Sequence, residues 1–368
     1  MRFIIPFLKY LLLIFVMLSI ISGCAHTKSR KQSLDIQEII AQANADFYLD
    51  QRLWYQTISA EVQGETIILK GHAFFKRPVS GIIRKLKKAG YKYEIIDQVI
   101  YLPEPFEDDL AYGIITKSYV MGRKQPVDVK QEGTEMLYGE PVRLIRDADP
   151  YIQVQSSVGY LGYIPKTALR PVTLKEWSQY QVGKQAVFTR KFNLDSGLDI
   201  QMGSRLPSLG DDHVLLADGS QLNISPAYYS VVDPASNPLR AAIVASAEQY
   251  MGLPYVWGGR SADGVDCSGF VMQSYALNNL YLPRDTDEMA NLGRIIGLPG
   301  WTEAMLPGDL LFFEGSRRLV THTAIYLGNN KVIHSLGSGV QIQSMDPDHP
   351  DYAKNLTQRF IFAKRLFE

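Results

Sequence analysis

The segment YVWGGRSADGVDCSGF, residues 255–270, decides how the C-terminal part of this chain folds. A glycine pair indicates a tight turn, and Asp266 precedes a largely apolar run that reaches Leu277 and is typical of a buried helix. Cys267, one of only two cysteines in the chain, therefore falls in the first turn of that helix. Exposed N–H groups and the helix dipole stabilise an anion there, so we expect a thiol with a lowered pKa, as a nucleophile needs.

Two histidines follow on what the pattern predicts to be neighbouring strands. His322 precedes the apolar run 323–327, and residues 328–330 signal a turn into a strand that carries His334. A hairpin with a loop of about three or four residues would bring the two imidazoles near each other. Hydrolysis by a thiol needs a proton donor for the leaving amine, and histidine commonly supplies it. The pattern favours His322 as the base paired with Cys267, and His334 as the group that orients His322.

The other cysteine, Cys24, ends an N-terminal segment that has a basic start, an apolar middle and the sequence Ile-Ser-Gly-Cys. This arrangement resembles a bacterial lipoprotein signal peptide, so residues 1–23 are expected to be removed and Cys24 to carry lipid. The alternative is an uncleaved transmembrane anchor, although the apolar run is shorter than the ~20 residues that a spanning helix needs. Lipid on Cys24 would hold the mature chain to a membrane of the cell envelope, at the periplasmic face of the outer membrane in a Gram-negative cell.

Charge argues against a nucleic-acid partner. The chain has 38 basic and 38 acidic residues, so its formal net charge is zero, and its basic runs are short. Binding to a phosphate backbone needs a concentrated basic surface. Because Cys24 is expected to be acylated, Cys267 is left without a partner for an intramolecular disulfide.

The length of the chain predicts several modules. Residues 24–40 begin with polar side chains and are expected to form a flexible tether. Residues 41–105 are expected to form a small α+β unit whose role the sequence does not indicate. Its predicted elements are a helical opening from about Leu34, a strand at 66–71, a helix at 79–89 and a strand at 91–102.

The predicted helix at 79–89 is basic and amphipathic, and Gly90 is expected to end it as a C-cap. Its basic residues are Arg84, Lys85, Lys87 and Lys88. They could face an anionic wall polymer or phospholipid, but a solvated helix face is the favoured interpretation.

Residues 106–233 change to short β-rich runs separated by Gly, Asp and Pro, which is typical of small barrels. Gly139–Val142 followed by Gly159–Ile164 resembles the strand and turn of a bacterial SH3 domain, so one such domain is expected at 106–175. A second, degenerate SH3-like domain is expected at 176–233. Its weaker signals lie at 203–207, 213–216 and 218–220. The alternative is a single irregular β domain.

Residues 234–368 are expected to form the last module. Asn237 opens a predicted helix with Pro238 at its first position and apolar residues at helical spacing through Met251. That helix leads directly into the glycine turn and the predicted helix of Cys267.

The motifs of this module resemble those of the NlpC/P60 family of cell-wall cysteine peptidases. They are Tyr255-x-Trp257-Gly258-Gly259, Asp266–Phe270, Leu282–Thr286, Pro307–Phe313, His322 followed by Ile325-Tyr326, and Ile333-His334. The resemblance covers residues 237–368 and implies an α+β fold with a papain-like core of helices packed on a five- or six-stranded sheet. Two small SH3-like β-barrels and the N-terminal α+β unit would precede this core. The resemblance also implies a Cys-His-His triad of Cys267, His322 and His334 that cuts between γ-D-glutamate and the diamino acid in the peptide stem of peptidoglycan.

The same resemblance implies substrate contacts around the triad. Tyr255 is expected near the oxyanion and the substrate. Asp266 is expected to meet the substrate's amino end, although it could equally cap the helix, and the two roles are compatible. Further pocket residues carried over from the family are Ser268, Arg284, Asp285 and Thr286. Asp309 is expected to be a turn and packing residue rather than a catalytic acid.

Other interpretations of these residues stay open. Zinc is disfavoured because no local ligand pair of the Cys-x-x-Cys or His-Glu-x-x-His kind occurs, so no metal and no cofactor are expected. An inactive wall-binding lipoprotein would be expected to have lost one member of the triad. An N-acetylmuramoyl-L-alanine amidase or a thiol acyltransferase would share the acyl-enzyme, and the triad does not distinguish them.

Overall fold

A computed structural model describes residues 36–47, 50–128, 133–232, 240–315 and 319–367. The predicted signal peptide, Cys24, most of the tether and the helix start at Asn237 and Pro238 lie outside these residues. Within the described ranges, none of the helices is both long enough and apolar enough to cross a membrane. The chain divides into two compact units, with the boundary between Glu104 and Pro105.

The first unit is an α+β fold with a three-stranded sheet. Its elements are α1 (36–46), β1 (Gln56–Gln63), β2 (Thr66–Ala73), α2 (Lys76–Lys88) and β3 (Glu94–Tyr101). β1 pairs antiparallel with β2, and β2 pairs parallel with β3 across the α2 connection. Apolar side chains from both helices and the sheet, among them Ile36, Ile82 and Leu69, form one core.

The predicted strands at 66–71 and 91–102 and the helix between them are confirmed, whereas β1 was not predicted. Only Ile58 of β1 is buried, so an apolar pattern is nearly missing there. The predicted helical opening from about Leu34 is confirmed by α1, which begins inside the segment that was expected to be tether. Ile36 and Ile40 are buried in the core, so the tether boundary at residue 40 is wrong.

The basic helix α2 ends at Lys88, and Gly90 follows two residues later with a φ of +86°, the left-handed conformation expected of a glycine that terminates a helix. Arg84, Lys87 and Lys88 are exposed. Lys85 pairs with Asp46 of α1 at 2.7 Å. These positions agree with the solvated helix face that the sequence favoured.

The first half of the second unit is β-rich and contains two larger sheets. Its elements are β4 (Tyr112–Ile115), β5 (Tyr119–Arg123), β6 (Gly133–Leu137), β7 (Pro141–Ala148), β8 (Tyr151–Gln155), β9 (Leu161–Pro165), β10 (Leu169–Val172), α3 (Leu174–Gln179), β11 (Gln185–Phe188), β12 (Phe192–Asn193), β13 (Asp199–Ile200), β14 (Arg205–Gly210), β15 (His213–Leu215), β16 (Gln221–Asn223) and β17 (Tyr229–Val232). One sheet has seven strands in the order β10-β4-β7-β8-β9-β5-β6, and the other has five in the order β16-β15-β14-β11-β17. β12 and β13 form a separate two-stranded ribbon.

The second half of this unit packs helices on a six-stranded sheet, in agreement with the five or six strands that the family resemblance implied. Its elements are α4 (Arg240–Glu248), β18 (Arg260–Ser261), β19 (Gly264–Val265), α5 (Cys267–Ala276), α6 (Thr286–Met289), β20 (Arg294–Gly297), β21 (Leu310–Glu314), β22 (Val320–Gly328), β23 (Lys331–Leu336), β24 (Gly339–Ser344), α7 (Lys354–Thr357) and β25 (Phe360–Arg365). The sheet is antiparallel with the order β20-β25-β21-β22-β23-β24. Phe270 and Tyr275 of α5 share a core with Phe312 and Ile325 of the sheet. The chain is thus a mixed α+β protein.

Buried polar contacts join the β-rich half to the half that contains α5. The Glu135 carboxylate of β6 accepts hydrogen bonds from the backbone N–H groups of Arg260 at 2.8 Å and Ser261 at 2.9 Å. The Arg260 guanidinium pairs with Glu140 at 3.1 Å and donates to the Glu135 carbonyl at 2.9 Å. Because these groups are buried, each depends on its partners in the other half.

We expect Glu135→Ala to lower the free energy of unfolding by about 1–3 kcal/mol, because two buried N–H groups lose their acceptor. Chemical denaturation monitored by fluorescence measures the change. Glu303→Ala, which removes an exposed carboxylate, is the matched control. Equal stability of the two variants would show that the contact contributes nothing measurable.

Candidate active site

The helix α5 begins at Cys267 because the preceding aspartate caps it. Asp266 Oδ1 accepts the backbone N–H of Gly269 at 2.7 Å, which confirms the predicted N-cap. Asp266 Oδ2 accepts the N–H of Gly258 at 2.8 Å. Gly258 has a φ of +78°, and a Cβ there would lie 2.6 Å from the Gly133 carbonyl oxygen, so only glycine fits this turn.

Arg284 holds the same carboxylate from the other side. Its guanidinium forms two bonds to Asp266, Nη1 to Oδ1 at 3.0 Å and Nη2 to Oδ2 at 2.6 Å. It also donates to Ser268 Oγ at 2.8 Å and, through Nε, to Thr134 Oγ1 of β6 at 2.7 Å. Arg284 is only 2% exposed. Three of the predicted pocket residues therefore bind one another beside the thiol.

Cys267 is a buried, free thiol. Its Sγ lies 3.9 Å from Thr286 Oγ1 and 3.9 Å from the carbonyl oxygen of Thr321, the residue before His322. Burial raises the pKa of the thiol to about 11, and the Asp266 carboxylate adds to the rise. The expected lowering of the pKa at the helix start is therefore wrong, because loss of solvent outweighs the donors at the helix N-terminus.

The two histidines lie together on the hairpin of β22 and β23. His322 Nε2 and His334 Nδ1 are 2.9 Å apart, and His334 Nε2 lies 2.9 Å from Gln343 Oε1 on β24. The hairpin loop holds only Asn329 and Asn330, both with positive φ, so it is shorter than predicted. Asparagine tolerates this backbone conformation, which allows the two-residue turn.

These hydrogen bonds determine where the protons sit. The Gln343 oxygen can only accept, so His334 carries its proton on Nε2 and offers a lone pair at Nδ1. His322 must then donate from Nε2, which leaves its Nδ1 unprotonated. The neutral His322 ring therefore keeps one nitrogen with the capacity to accept a proton.

Both imidazoles are neutral at pH 7. Burial lowers the pKa of His322 to about 3, and the neighbouring His334 contributes to the shift. Burial also lowers the pKa of His334 to about 4, against the opposing effect of the hydrogen bond to Gln343. The resting site thus contains a neutral thiol and two neutral rings.

The remaining predicted residues take different positions. Tyr255 is half-buried, and burial raises the pKa of its phenol. Its backbone pairs with Val265, two residues before Cys267. The backbone N–H of Asp285 donates to the Glu288 carboxylate at 3.3 Å at the start of α6. Asp309 is buried and accepts from Arg240, Arg365 and the Leu306 N–H, so its predicted packing role is confirmed.

The sequence did not reveal two contributors to the site. Gln343 orients His334, yet it is one glutamine on an otherwise ordinary strand. Thr134 reaches Arg284 from a sheet 150 residues earlier in the chain. No local motif signals either residue, because their roles follow from contacts between distant segments.

Comparisons with known proteins agree with this fold. Residues 252–359 match the NlpC/P60 family. The chain is 27% identical over 238 residues to the gamma-D-glutamyl-L-lysine dipeptidyl-peptidase of Bacillus subtilis, a match that covers 61% of this chain and 78% of the relative. It is 28% identical over 260 residues to dipeptidyl-peptidase 6 of Lysinibacillus sphaericus, a match that covers 63% of this chain and 91% of that relative.

A solved structure supports the same fold over a longer stretch. An NlpC/P60 family protein from Bacillus cereus aligns with a TM-score of 0.61 at 20% identity, over 70% of this chain and all of that one. The fold and these relatives place the protein in the class of cysteine-type endopeptidases. More particularly, the chain contains an NlpC/P60 domain at residues 252–359, and it is an enzyme of that family of peptidoglycan hydrolases.

The buried histidines predict how stability depends on pH. The unfolded chain binds protons on these rings near pH 6.5, whereas the folded chain binds them only near pH 4 and below. The unfolded state therefore holds more protons in this window, and the free energy of unfolding decreases as the pH falls from 6.5 toward 4. Thermal unfolding between about pH 7 and about pH 4.5 measures the slope.

In this experiment His334→Gln should show a shallower pH dependence than the wild type, because one buried ring is gone. His213→Gln removes an exposed histidine and should leave the slope unchanged. Identical slopes in all three proteins would contradict the burial of a neutral His334.

Proposed function

We propose that this protein is a cysteine peptidase that hydrolyses the γ-D-glutamyl–diamino acid bond in peptidoglycan stem peptides. The observation that carries the proposal is the hydrogen-bonded series Gln343, His334, His322, which leaves His322 Nδ1 unprotonated. The buried Cys267 Sγ lies 3.9 Å from the carbonyl oxygen of Thr321, the residue before His322. The name of the Bacillus subtilis relative, a gamma-D-glutamyl-L-lysine dipeptidyl-peptidase, supports the choice of bond.

In the proposed mechanism Cys267 attacks the scissile carbonyl while His322 Nδ1 removes the thiol proton. Because burial keeps the resting thiol protonated, proton transfer accompanies the attack rather than preceding it. His334 holds the His322 ring in the tautomer that can act as a base. His322 then protonates the leaving amine, and water hydrolyses the thioester with His322 again as the base.

Tyr255 is the proposed donor to the oxyanion. Its raised pKa keeps the phenol protonated, so it can donate a hydrogen bond to the negative oxygen that forms during attack. The pairing of its backbone with Val265, two residues before Cys267, supports this role.

The proposed substrate contacts divide into two groups. Asp266, Ser268 and Arg284 already bind one another, so they shape the pocket wall, and a contact of Asp266 with the substrate's amino end stays a prediction. Asp285 and Thr286 are proposed to face the substrate, because Thr286 Oγ1 lies 3.9 Å from the thiol.

The wider architecture is part of this proposal. We propose SH3-like domains at 106–175 and 176–233, which the seven-stranded and five-stranded sheets support. A lipid on Cys24 would hold the enzyme in the cell envelope, next to its wall substrate. The separate α+β unit, which contains α1 to β3 and ends at Glu104, precedes these domains in the sequence.

Digestion of defined muropeptides followed by mass spectrometry tests the function. We expect a new N-terminus on the diamino acid, and Cys267→Ala should reduce turnover by about a thousandfold or more, with His322→Ala nearly as severe. Near-native circular dichroism would show that the variants fold. A product cut between muramic acid and L-alanine would identify an amidase instead, and wild-type turnover by Cys267→Ala would rule out the thiol mechanism.

The hydrogen bond between His334 and Gln343 allows a separate prediction. Gln343→Leu removes the acceptor that holds the proton on His334 Nε2, so kcat should fall by about twofold to tenfold while KM changes little. Gln221→Leu, which removes an exposed glutamine of β16 in a different sheet, is the matched control. Equal kcat values for both variants would show that Gln343 does not set the tautomer.

A further inference from the structure

A cavity of about 70 Å³, with both apolar and polar lining, lies where the two β-sheets meet the helix α5. Its polar lining includes Glu140, Gln185, Ser204, Arg205, Arg260 and Gln273. Cys267, His322 and His334 do not line it, so it is distinct from the proposed active site. Gln273 belongs to the same helix that begins at the thiol, which makes the cavity a neighbour of the catalytic helix at its far end.

Several buried polar atoms in this lining have no hydrogen-bond partner among the described residues. They are both amide atoms of Gln185, Ser204 Oγ, and the Nε atoms of Arg205 and Arg260. Gln185 is 4% exposed and Ser204 is 1% exposed. Buried polar atoms in native proteins are nearly always paired, so this concentration in one cavity indicates a polar occupant.

The charges of the lining indicate the sign of that occupant. Arg260 is compensated, because Glu140 pairs with it at 3.1 Å. Arg205 contacts the Ala276 carbonyl at 2.8 Å, the Asn279 amide oxygen at 3.2 Å and the ring of Tyr281. Within the described ranges, no carboxylate forms an ion pair with Arg205. Water could pair with the neutral atoms but would leave this cation uncompensated.

We infer that the cavity is a binding site for a small oxyanion, either a short carboxylate or inorganic phosphate. Both chemistries accept hydrogen bonds from guanidinium Nε–H, amide and hydroxyl donors, which are the groups that Arg205, Gln185 and Ser204 offer. An apolar cavity of about 150 Å³ accommodates benzene, so a cavity about half that size suits a ligand of about four or five heavy atoms. Acetate and phosphate have this size.

The occupant would contact parts of the chain that are far apart in sequence. Gln185 and Ser204 belong to the β-rich half, whereas Arg260 and Gln273 belong to the half with the proposed active site. A ligand that binds only this assembled junction stabilises the folded state by mass action. The inference stands independently of the peptidase function.

The test is a titration of the full chain with sodium acetate and with sodium phosphate, each replacing sodium chloride at constant ionic strength, with Tm and binding heat as readouts. At least one oxyanion should give a saturable rise in Tm. Arg205→Met should weaken its binding by tenfold or more, because a charge-assisted donor is lost. Arg143→Met, which removes an exposed arginine of β7, should bind like the wild type.

Two results would overturn the inference. One is the absence of a saturable effect of either anion relative to chloride, and the other is equal binding by Arg205→Met and the wild type. If Arg205→Met does not fold, Ser204→Ala and Gln185→Leu carry the test, each with an expected loss of about threefold. Unchanged affinity in both of these variants would equally reject the site.

Discussion

The proposed active site depends on the buried carboxylate of Asp266. It caps α5, fixes the glycine turn through the Gly258 N–H, and forms two bonds to Arg284. A buried carboxylate needs such compensation, since an unpaired charge away from water is costly. The same three contacts hold the helix start, the turn and the segment before α6 around Cys267. The position of the Cys267 thiol therefore depends on the hydrogen bonds that compensate the Asp266 carboxylate.

Burial also determines the charge state of the site. A helix N-terminus favours a thiolate, but Cys267 is enclosed and lies beside the Asp266 carboxylate, so its pKa rises to about 11. The two imidazoles respond to burial in the opposite direction, because their charged form is the protonated one. Loss of solvent on burial therefore explains both the neutral thiol and the neutral imidazoles. In such a site the base is defined by hydrogen-bond geometry, through Gln343 and His334, rather than by a preformed ion pair.

The β-rich half of the second unit contributes residues to the surroundings of the proposed active site. Thr134 of β6 accepts a hydrogen bond from Arg284, and the next residue, Glu135, binds the backbone around Arg260. Substitutions in β6 can therefore affect the surroundings of Cys267 without touching it. The cavity lined by Gln185 and Arg205 belongs to the same junction between the two halves.

The sequence by itself determined which residues could do the chemistry and most of the local structure around them. The pattern around Gly258, Asp266 and Cys267 predicted a turn, an N-cap and the start of a helix. The spacing of His322 and His334 predicted a hairpin. Both predictions were possible because each signal lies within a short stretch of sequence. The sequence predicted the helical opening from about Leu34 but placed the tether boundary too late, and it could not predict β1, in which Ile58 alone is buried. The tertiary structure alone decided the raised thiol pKa, the tautomer set by Gln343 and the support from Thr134. Desolvation and long-range hydrogen bonds depend on which distant segments of the chain enclose a group. A local sequence pattern does not indicate which segments these are.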